Sequence, residues 1–241
     1  MMKIYADNKE VSSNQGSNEQ IWEEIFSKKE WGKYPSESVI RFIARNFYNT
    51  KDRNTIKILE LGLGTGANLW FCAREGFKVS GIEWSKTGVE RFRARLKDEN
   101  LSTQIEQIEI GDYLEKLDNF KDESFDAWMD SYSLAYNDFE KTKQIIKKAM
   151  KKLKIGGKFF SITPSLYNEG FEKDANLGYH LVKPVSGSDA FTGVIRYCDE
   201  EDLKRLYEGE GYKITSIKIH IQKDLEKQLN ELYIIEGERY E

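Results

Sequence analysis

The chain has 241 residues, with 37 Lys and Arg against 41 Asp and Glu, a formal net charge of −4. That balance leaves no electrostatic footprint for nucleic acid or an acidic membrane, and no apolar run approaches the roughly 18 residues of a membrane span. The length suits one α/β domain with a sizeable core, and Cys72 and Cys198 lack the spacing of a disulfide framework or zinc site, so no metal is expected.

Residues 1–20 are rich in Ser, Asn, Gln and Gly and are expected to form a flexible arm. They lack the apolar core of a signal peptide, so a cytoplasmic location is expected. Ile21, Trp22, Ile25 and Phe26 make a short helical stripe. Trp31-Gly32-Lys33-Tyr34-Pro35 follows, an aromatic loop with one cation. Ser36 is a candidate N-cap for a helix with Val39, Ile40, Ile43 and Phe47 on one face.

The stretch from Ile56 to Ser85 reads as strand, glycine turn, helix, strand. Ile56, Ile58, Leu59 and Leu61 form the apolar run of a strand buried on both faces. Gly62, Gly64 and Gly66 allow a sharp turn and a close approach of backbone to ligand. Asn68 to Glu75 has helical spacing, stopped by Gly76. Lys78 to Glu83 is a second strand. Glu83 ends it about 20 residues after the glycines, where a carboxylate accepts ribose hydroxyls in a βαβ unit. Gly62, Gly64 and Ala67 also meet G-x-G-x-x-[GA], so a dinucleotide site is one reading of this turn.

Lys86 to Asn100 is a helix with Val89, Phe92 and Leu96 inward and Arg91, Arg93, Arg95 and Lys97 on a solvated face. Ile105, Ile108 and Ile110 make a third strand leading to Gly111-Asp112-Tyr113. Phe125 to Asp130 is a fourth, ending in Ser131-Tyr132-Ser133-Leu134-Ala135-Tyr136-Asn137. Loops at the carboxyl ends of such strands line ligands. Glu140 to Leu153 is a helix, and its lysines Lys147, Lys148, Lys151, Lys152 and Lys154 read as a solvated face. Ile155 to Lys158 is a turn, Phe159 to Thr163 a fifth strand. The irregular stretch 164–197 is expected to be a lid. Asp199 caps a helix from Glu200 to Glu210, stopped by Gly211. Tyr212 to Ile221 and Glu231 to Glu236 are two closing strands.

Glu60-x-Gly62-x-Gly64-x-Gly66 resembles motif I of the class I S-adenosylmethionine (SAM)-dependent methyltransferases, small-molecule type. The resemblance covers nearly the whole chain from Ile21. It implies a Rossmann-like, doubly wound sheet of seven mostly parallel strands with an antiparallel last strand. It further implies N-terminal helices over the SAM site and a single domain over residues 21–241. SAM is the implied cofactor, held by Glu60, the three glycines, Asn68, Glu83, Trp84, Asp112, Tyr113 and Asp130. In that family Asp112 would meet the adenine amino group and Tyr113 would flank the ring. The Asn/Asp-Pro-Pro-aromatic motif of base amine methylation is missing after strand four.

The implied reaction is methyl transfer to an oxygen or nitrogen of a small polar acceptor, a metabolite or sugar-linked precursor. A protein or RNA acceptor is disfavoured, no membrane partner is expected, and the protein is a monomer or homodimer. His180, in the lid beside Tyr179, is the candidate base, against a water-exposed histidine. Asp130 either orients the SAM amino group or acts as base, with Tyr132 beside it. Trp31, Lys33, Tyr34, Tyr179 and Arg196 are the candidate acceptor residues, the cations suiting a phosphate or carboxylate handle. For Trp31 and Tyr34 the alternative is simple packing. Two rival functions stand beside this one: an NAD-dependent oxidoreductase and a non-catalytic SAM-binding protein.

Overall fold

The computed structural model describes residues 16–172, 176–225 and 227–241. Seven helices are named in chain order: α1 (Asn18–Lys28), α2 (Glu37–Phe47), α3 (Ala67–Arg74), α4 (Lys86–Asp98), α5 (Tyr113–Lys116), α6 (Phe139–Lys152) and α7 (Glu200–Tyr207). The strands are β1 (Lys57–Leu61), β2 (Lys78–Glu83), β3 (Ile105–Ile110), β4 (Phe125–Ser131), β5 (Leu153–Pro164), β6 (Leu181–Val182), β7 (Ile195–Arg196), β8 (Tyr212–Asp224) and β9 (Lys227–Arg239).

Seven strands form one sheet in the order β3-β2-β1-β4-β5-β9-β8. Strands β1 to β5 pair in parallel, and β9 lies antiparallel between β5 and β8. Successive side chains on a strand point to opposite faces, so each central strand feeds two cores. Leu59, Trp128 and Phe159 join one cluster with Ile145, Ile146 and Leu203 from α6 and α7. Ile58, Met129 and Phe160 join the other with Phe42, Leu69 and Phe92 from α2, α3 and α4. Burial on both faces explains why these strands read as continuous apolar runs. The chain winds outward one way from β1 to β3 and the other way from β4, so the crevice opens at the carboxyl ends of β1 and β4.

Several boundaries differ from the sequence reading. Helix α1 starts at Asn18, three residues before Ile21, because Ser17 and Gln20 form a reciprocal capping box. Asn18 then reaches across the fold, its Nδ2 donating to Tyr136 O at 2.8 Å and Val194 O at 2.9 Å. Residues 18–20 are therefore helix, and residues 1–15 of the expected arm lie outside the described residues. The expected turn at 155–158 is a bulge inside β5: the register with β4 jumps from Phe125↔Leu153 to Ala127↔Lys158, and Gly156 takes φ 81°. Helix α7 ends at Tyr207, before Gly211. Strands β8 and β9 run to the Asp224↔Lys227 pair, well past the expected ends. Within 164–197, β6 and β7 pair antiparallel, so part of the expected irregular stretch is ordered sheet. Among the described residues no helix is long and apolar enough to cross a membrane.

Candidate active site

The site begins with backbone that only glycine accepts readily. Gly62 and Gly66 have φ 75° and 85°. A Cβ on Gly62 would collide with Ser133 and stand 2.7 Å from the Tyr113 hydroxyl, and one on Gly66 would run into the Phe92 ring. The first keeps the floor of a cavity open, and the second lets α3 pack on α4. Gly62 N donates to Ile82 O at 2.8 Å, which ties the turn to β2.

Two carboxylates flank this turn. Glu60 is 1% exposed. Its Oε1 accepts from Asn68 Nδ2 at 2.6 Å, and its Oε2 is buried with no hydrogen-bond partner. Burial, opposed by the Asn68 bond and reinforced by Asp130 and Glu83, raises its carboxyl to about 8. Glu83 accepts from Gly64 N at 2.7 Å and Ser85 N at 2.9 Å, so it braces the glycine turn. Burial raises its carboxyl as well, against those backbone bonds. Trp84 stacks on Tyr113 with ring centroids 5.5 Å apart, and both rings line the cavity.

The roof comes from the N-terminal segment. Trp22, Phe26, Trp31 and Tyr34 line the cavity. Glu23 fastens α1 by accepting from Ser85 Oγ, Thr87 N and Thr87 Oγ1. Two α4 arginines from the expected solvated face hold the aromatic loop instead. Arg91 donates to Lys29 O at 2.7 Å, and Arg95 donates to Lys33 O at 2.5 Å while its guanidinium lies 3.7 Å from the Trp70 ring centroid. The wall of the cavity, about 440 Å³ in all, also includes Tyr132, Tyr136, Ser188, Asp189 and Thr192. Tyr132 sits at φ 78°, a strained value for a side-chain-bearing residue, and its hydroxyl donates to Asp189. Tyr136 donates to Thr192 Oγ1 at 3.0 Å.

Of the expected cofactor residues, Glu60, Gly62, Gly64, Asn68, Glu83, Trp84 and Tyr113 meet in the cavity wall. Gly66 stands behind it as the N-cap of α3. Asp112 is not brought into the wall. It caps α5 by accepting from Leu114 N at 2.9 Å and pairs with Lys141 at 2.5 Å. Asp130 also stands behind the wall, fully buried. It accepts from Ser133 N at 2.8 Å, Ser133 Oγ at 2.6 Å, Leu134 N at 3.0 Å and Ser161 Oγ at 2.7 Å, and so builds the turn carrying Tyr132.

The expected acceptor residues divide. Trp31 and Tyr34 line the cavity while also packing on Trp22 and Trp70. Lys33 does not; it faces solvent and pairs with Glu30 at 3.6 Å. His180 and Tyr179 are outside the wall because Asp202, in the capping box of α7, captures both. His180 Nδ1 lies 2.9 Å from Asp202 Oδ2, and Tyr179 donates to Oδ1 at 3.0 Å. Arg196 is 0% exposed, with Nε donating to Asn137 O at 3.3 Å and Nη1 to Cys198 Sγ at 2.6 Å. Neither His180 as base nor Arg196 as anion grip reaches the cavity. The sequence reading missed Trp22, Phe26 and Asp189. Trp22 and Phe26 carried a helical stripe that signals core, and nothing local distinguishes Asp189 within its segment.

The methyltransferase domain family model matches residues 58–157. A search of curated proteins finds no sequence match. Among solved structures, a SAM-dependent methyltransferase from Methanosarcina mazei is similar over 76% of this chain and 92% of its own, at 16% identity and TM-score 0.62. The [4+2]-cyclase SpnF is similar over 93% and 97%, at 13% identity and TM-score 0.66. Geranyl diphosphate C-methyltransferase from Streptomyces coelicolor A3(2), solved with Mg2+, geranyl diphosphate and S-adenosyl-L-homocysteine, is similar over 94% and 100%, at 13% identity and TM-score 0.62. At these identities the structures speak to the fold. The dinucleotide reading calls for a second nucleotide-binding half, and the sheet closes with the β8–β9 hairpin in its place. SAM carries an ammonium and a ribose, which fit the unpartnered buried oxygen of Glu60 and the strand-end carboxylate of Glu83. Residues 58–157 thus match a methyltransferase domain, and the sheet order and these two carboxylates agree with a class I SAM-dependent methyltransferase.

Proposed function

We propose that this enzyme methylates a nitrogen or oxygen atom of a small polar acceptor. The observation that carries the reading is the cavity itself: α1, the Trp31–Tyr34 loop and the segment 188–192 line it together with Glu60 and Glu83, over a volume of about 440 Å³. When bound, SAM supplies an electrophilic methyl carbon, to which the acceptor lone pair bonds as the carbon–sulfur bond breaks and its electron pair stays on sulfur. Glu60, oriented by Asn68, would hold the ammonium group, and Glu83 with Trp84 would hold the ribose and adenine side. The turn fixed by Asp130 sets Tyr132 at the acceptor end, and the aromatic roof excludes water there.

A macromolecular polyanion finds little support on the surface. Part of the α6 lysine run is paired with neighbours: Lys148 with Asp118 at 2.7 Å, Lys152 with Asp122 at 2.5 Å and Lys154, just beyond α6, with Asp126 at 2.8 Å. The test is incubation of purified protein with methyl-labelled SAM and separate metabolite, sugar-linked precursor, protein and RNA fractions, with products resolved by mass spectrometry. Label on a nitrogen or oxygen of a small molecule is expected. Label only in RNA or protein, or on carbon, overturns the proposal. A thermal shift with NADH and none with S-adenosylhomocysteine would overturn the cofactor assignment itself.

A further inference from the structure

We propose that the acceptor is a small amine that enters as its cation, and that Asp189 receives it between Tyr132, Tyr136 and Trp22. This rests on the methyltransferase reading and narrows its substrate class. The charge of the cavity wall is one-sided. It holds three carboxylates, Glu60, Glu83 and Asp189, and no lysine, arginine or histidine among the described residues. The cofactor accounts for Glu60 and Glu83. Asp189, held on Tyr132, Asn168 and Ser188, has no such claim on it.

Asp189 is 9% exposed and has no ion pair among the described residues. Its hydrogen bonds come from neutral donors. Oδ2 accepts from the Tyr132 hydroxyl and from Asn168 Nδ2 at 3.1 Å, and Oδ1 accepts only a long 3.4 Å bond from Ser188 Oγ. Oδ1 therefore keeps acceptor capacity. A buried carboxylate without a cation is costly, and a ligand ammonium supplies the missing charge. The group is also held in place from several elements. Asn168 is anchored by Glu231 N at 2.7 Å, Ser188 by Asn230 Oδ1 at 2.7 Å, and Thr192 Oγ1 donates to the Asp189 carbonyl at 2.7 Å. Such support pre-organises a binding group.

The surrounding rings suit a cation. Trp22 meets Tyr136 edge to face at 5.1 Å and Trp31 at 5.2 Å, a continuous aromatic wall beside the carboxylate. The cations expected to grip an anionic handle are elsewhere, Lys33 in solvent and Arg196 in the core. An ammonium has no lone pair, so it must lose a proton before it can bond to the methyl carbon. Asp189 Oδ1 accepts that proton and passes it to water when the product leaves. The methylated nitrogen then carries the positive charge, and sulfur keeps the electron pair of the broken bond.

The test uses three probes of one shape and different charge: 2-phenylethylamine, 2-phenylethanol and phenylacetate. Each is titrated into free protein and into protein saturated with S-adenosylhomocysteine, read by calorimetry and by the fluorescence of the cavity tryptophans. The amine is expected to bind at least about tenfold more tightly than the alcohol, as for a hydrogen bond to a charged group, and phenylacetate more weakly than either. Asp189→Asn should abolish the amine preference while leaving S-adenosylhomocysteine affinity within about twofold. Tyr132→Phe, which keeps the carboxylate, should retain the preference, and it serves if the first variant does not fold. An amine that binds no better than the alcohol, or a preference that survives in Asp189→Asn, overturns the proposal. Failure of S-adenosylhomocysteine to bind the wild type overturns the cofactor reading instead, and the probes on free protein still decide the amine site.

Discussion

Replacing Glu60 by Gln is expected to stabilise the free protein and weaken its cofactor binding at once. Burial is the largest cause raising the Glu60 carboxyl from 4.5 to about 8. A carboxyl raised in the folded state binds more protons folded than unfolded. Its contribution to stability is therefore fully present below about 4.5 and is lost as pH rises towards 8. At about 1.4 kcal/mol per pH unit, the loss has an upper limit of roughly 5 kcal/mol by about pH 9. Gln escapes it, because an amide does not ionise. Its nitrogen would take the place of Oε2, which has no partner, at a cost of about 1–3 kcal/mol. The net gain is about 2–4 kcal/mol near pH 9, with a small loss near pH 5. For a chain of this size that is a rise in Tm of at least about 4 °C near pH 9. Binding moves the other way, since an amide offers no negative charge to the ammonium, and S-adenosylhomocysteine affinity should fall about tenfold or more. Wild-type binding near pH 7 should also release protons, as the ammonium returns Glu60 to its carboxylate. Thermal unfolding at both pH values and calorimetry in buffers of different ionisation enthalpy make the measurement. A stability difference that does not change with pH would refute the charge-burial argument, and unchanged affinity would remove Glu60 from the ammonium site.

Gly62→Ala should lose about 2 kcal/mol or more in urea unfolding and abolish S-adenosylhomocysteine binding, because φ 75° and the Ser133 contact both oppose a Cβ; wild-type stability would contradict this. Arg95→Ala removes the 3.7 Å contact with Trp70 and the bond to Lys33 O, so hydrogen exchange in 31–34 should quicken and stability fall by about 1–2 kcal/mol. Unaltered exchange there would show that Arg95 does not hold the loop. His180→Ala should lose about 1 kcal/mol of stability with its Asp202 bond and leave turnover near wild type; a large fall in turnover at unchanged stability would return His180 to the chemistry.

The glycine turn and the two carboxylates beside it were legible in the sequence because their parts are local. Glycines that need positive φ, a buried strand before them and a carboxylate one βαβ step later follow from neighbouring residues. So do the caps: Ser36 and Asp199 act within three residues of themselves. The lysines of α6 were harder. Lys152 reads as surface yet is buried, because its ammonium reaches Phe120 O at 2.9 Å and Asp122 while its stem packs.

The Tyr132–Asp189 side of the cavity is assembled from parts that no local pattern connects. Asp189 meets Tyr132 from 57 residues away, and Asn18 meets Val194 from 176. His180 and Asp189 share one irregular segment, and its composition does not say which one faces the cavity. Asp202, placed at the start of α7, took His180, and the strained turn after β4 presented Tyr132 to Asp189. Arg196 is buried in the short strand β7 along with Ile195, and its guanidinium turns onto Asn137 and Cys198. The sequence by itself thus determined the sheet, the glycine turn and the two carboxylates that fit SAM, since strand burial and backbone conformation depend on adjacent residues. Only the tertiary structure decided which polar groups of the segment 164–197 line the cavity, since that depends on partners that come together after the chain has folded.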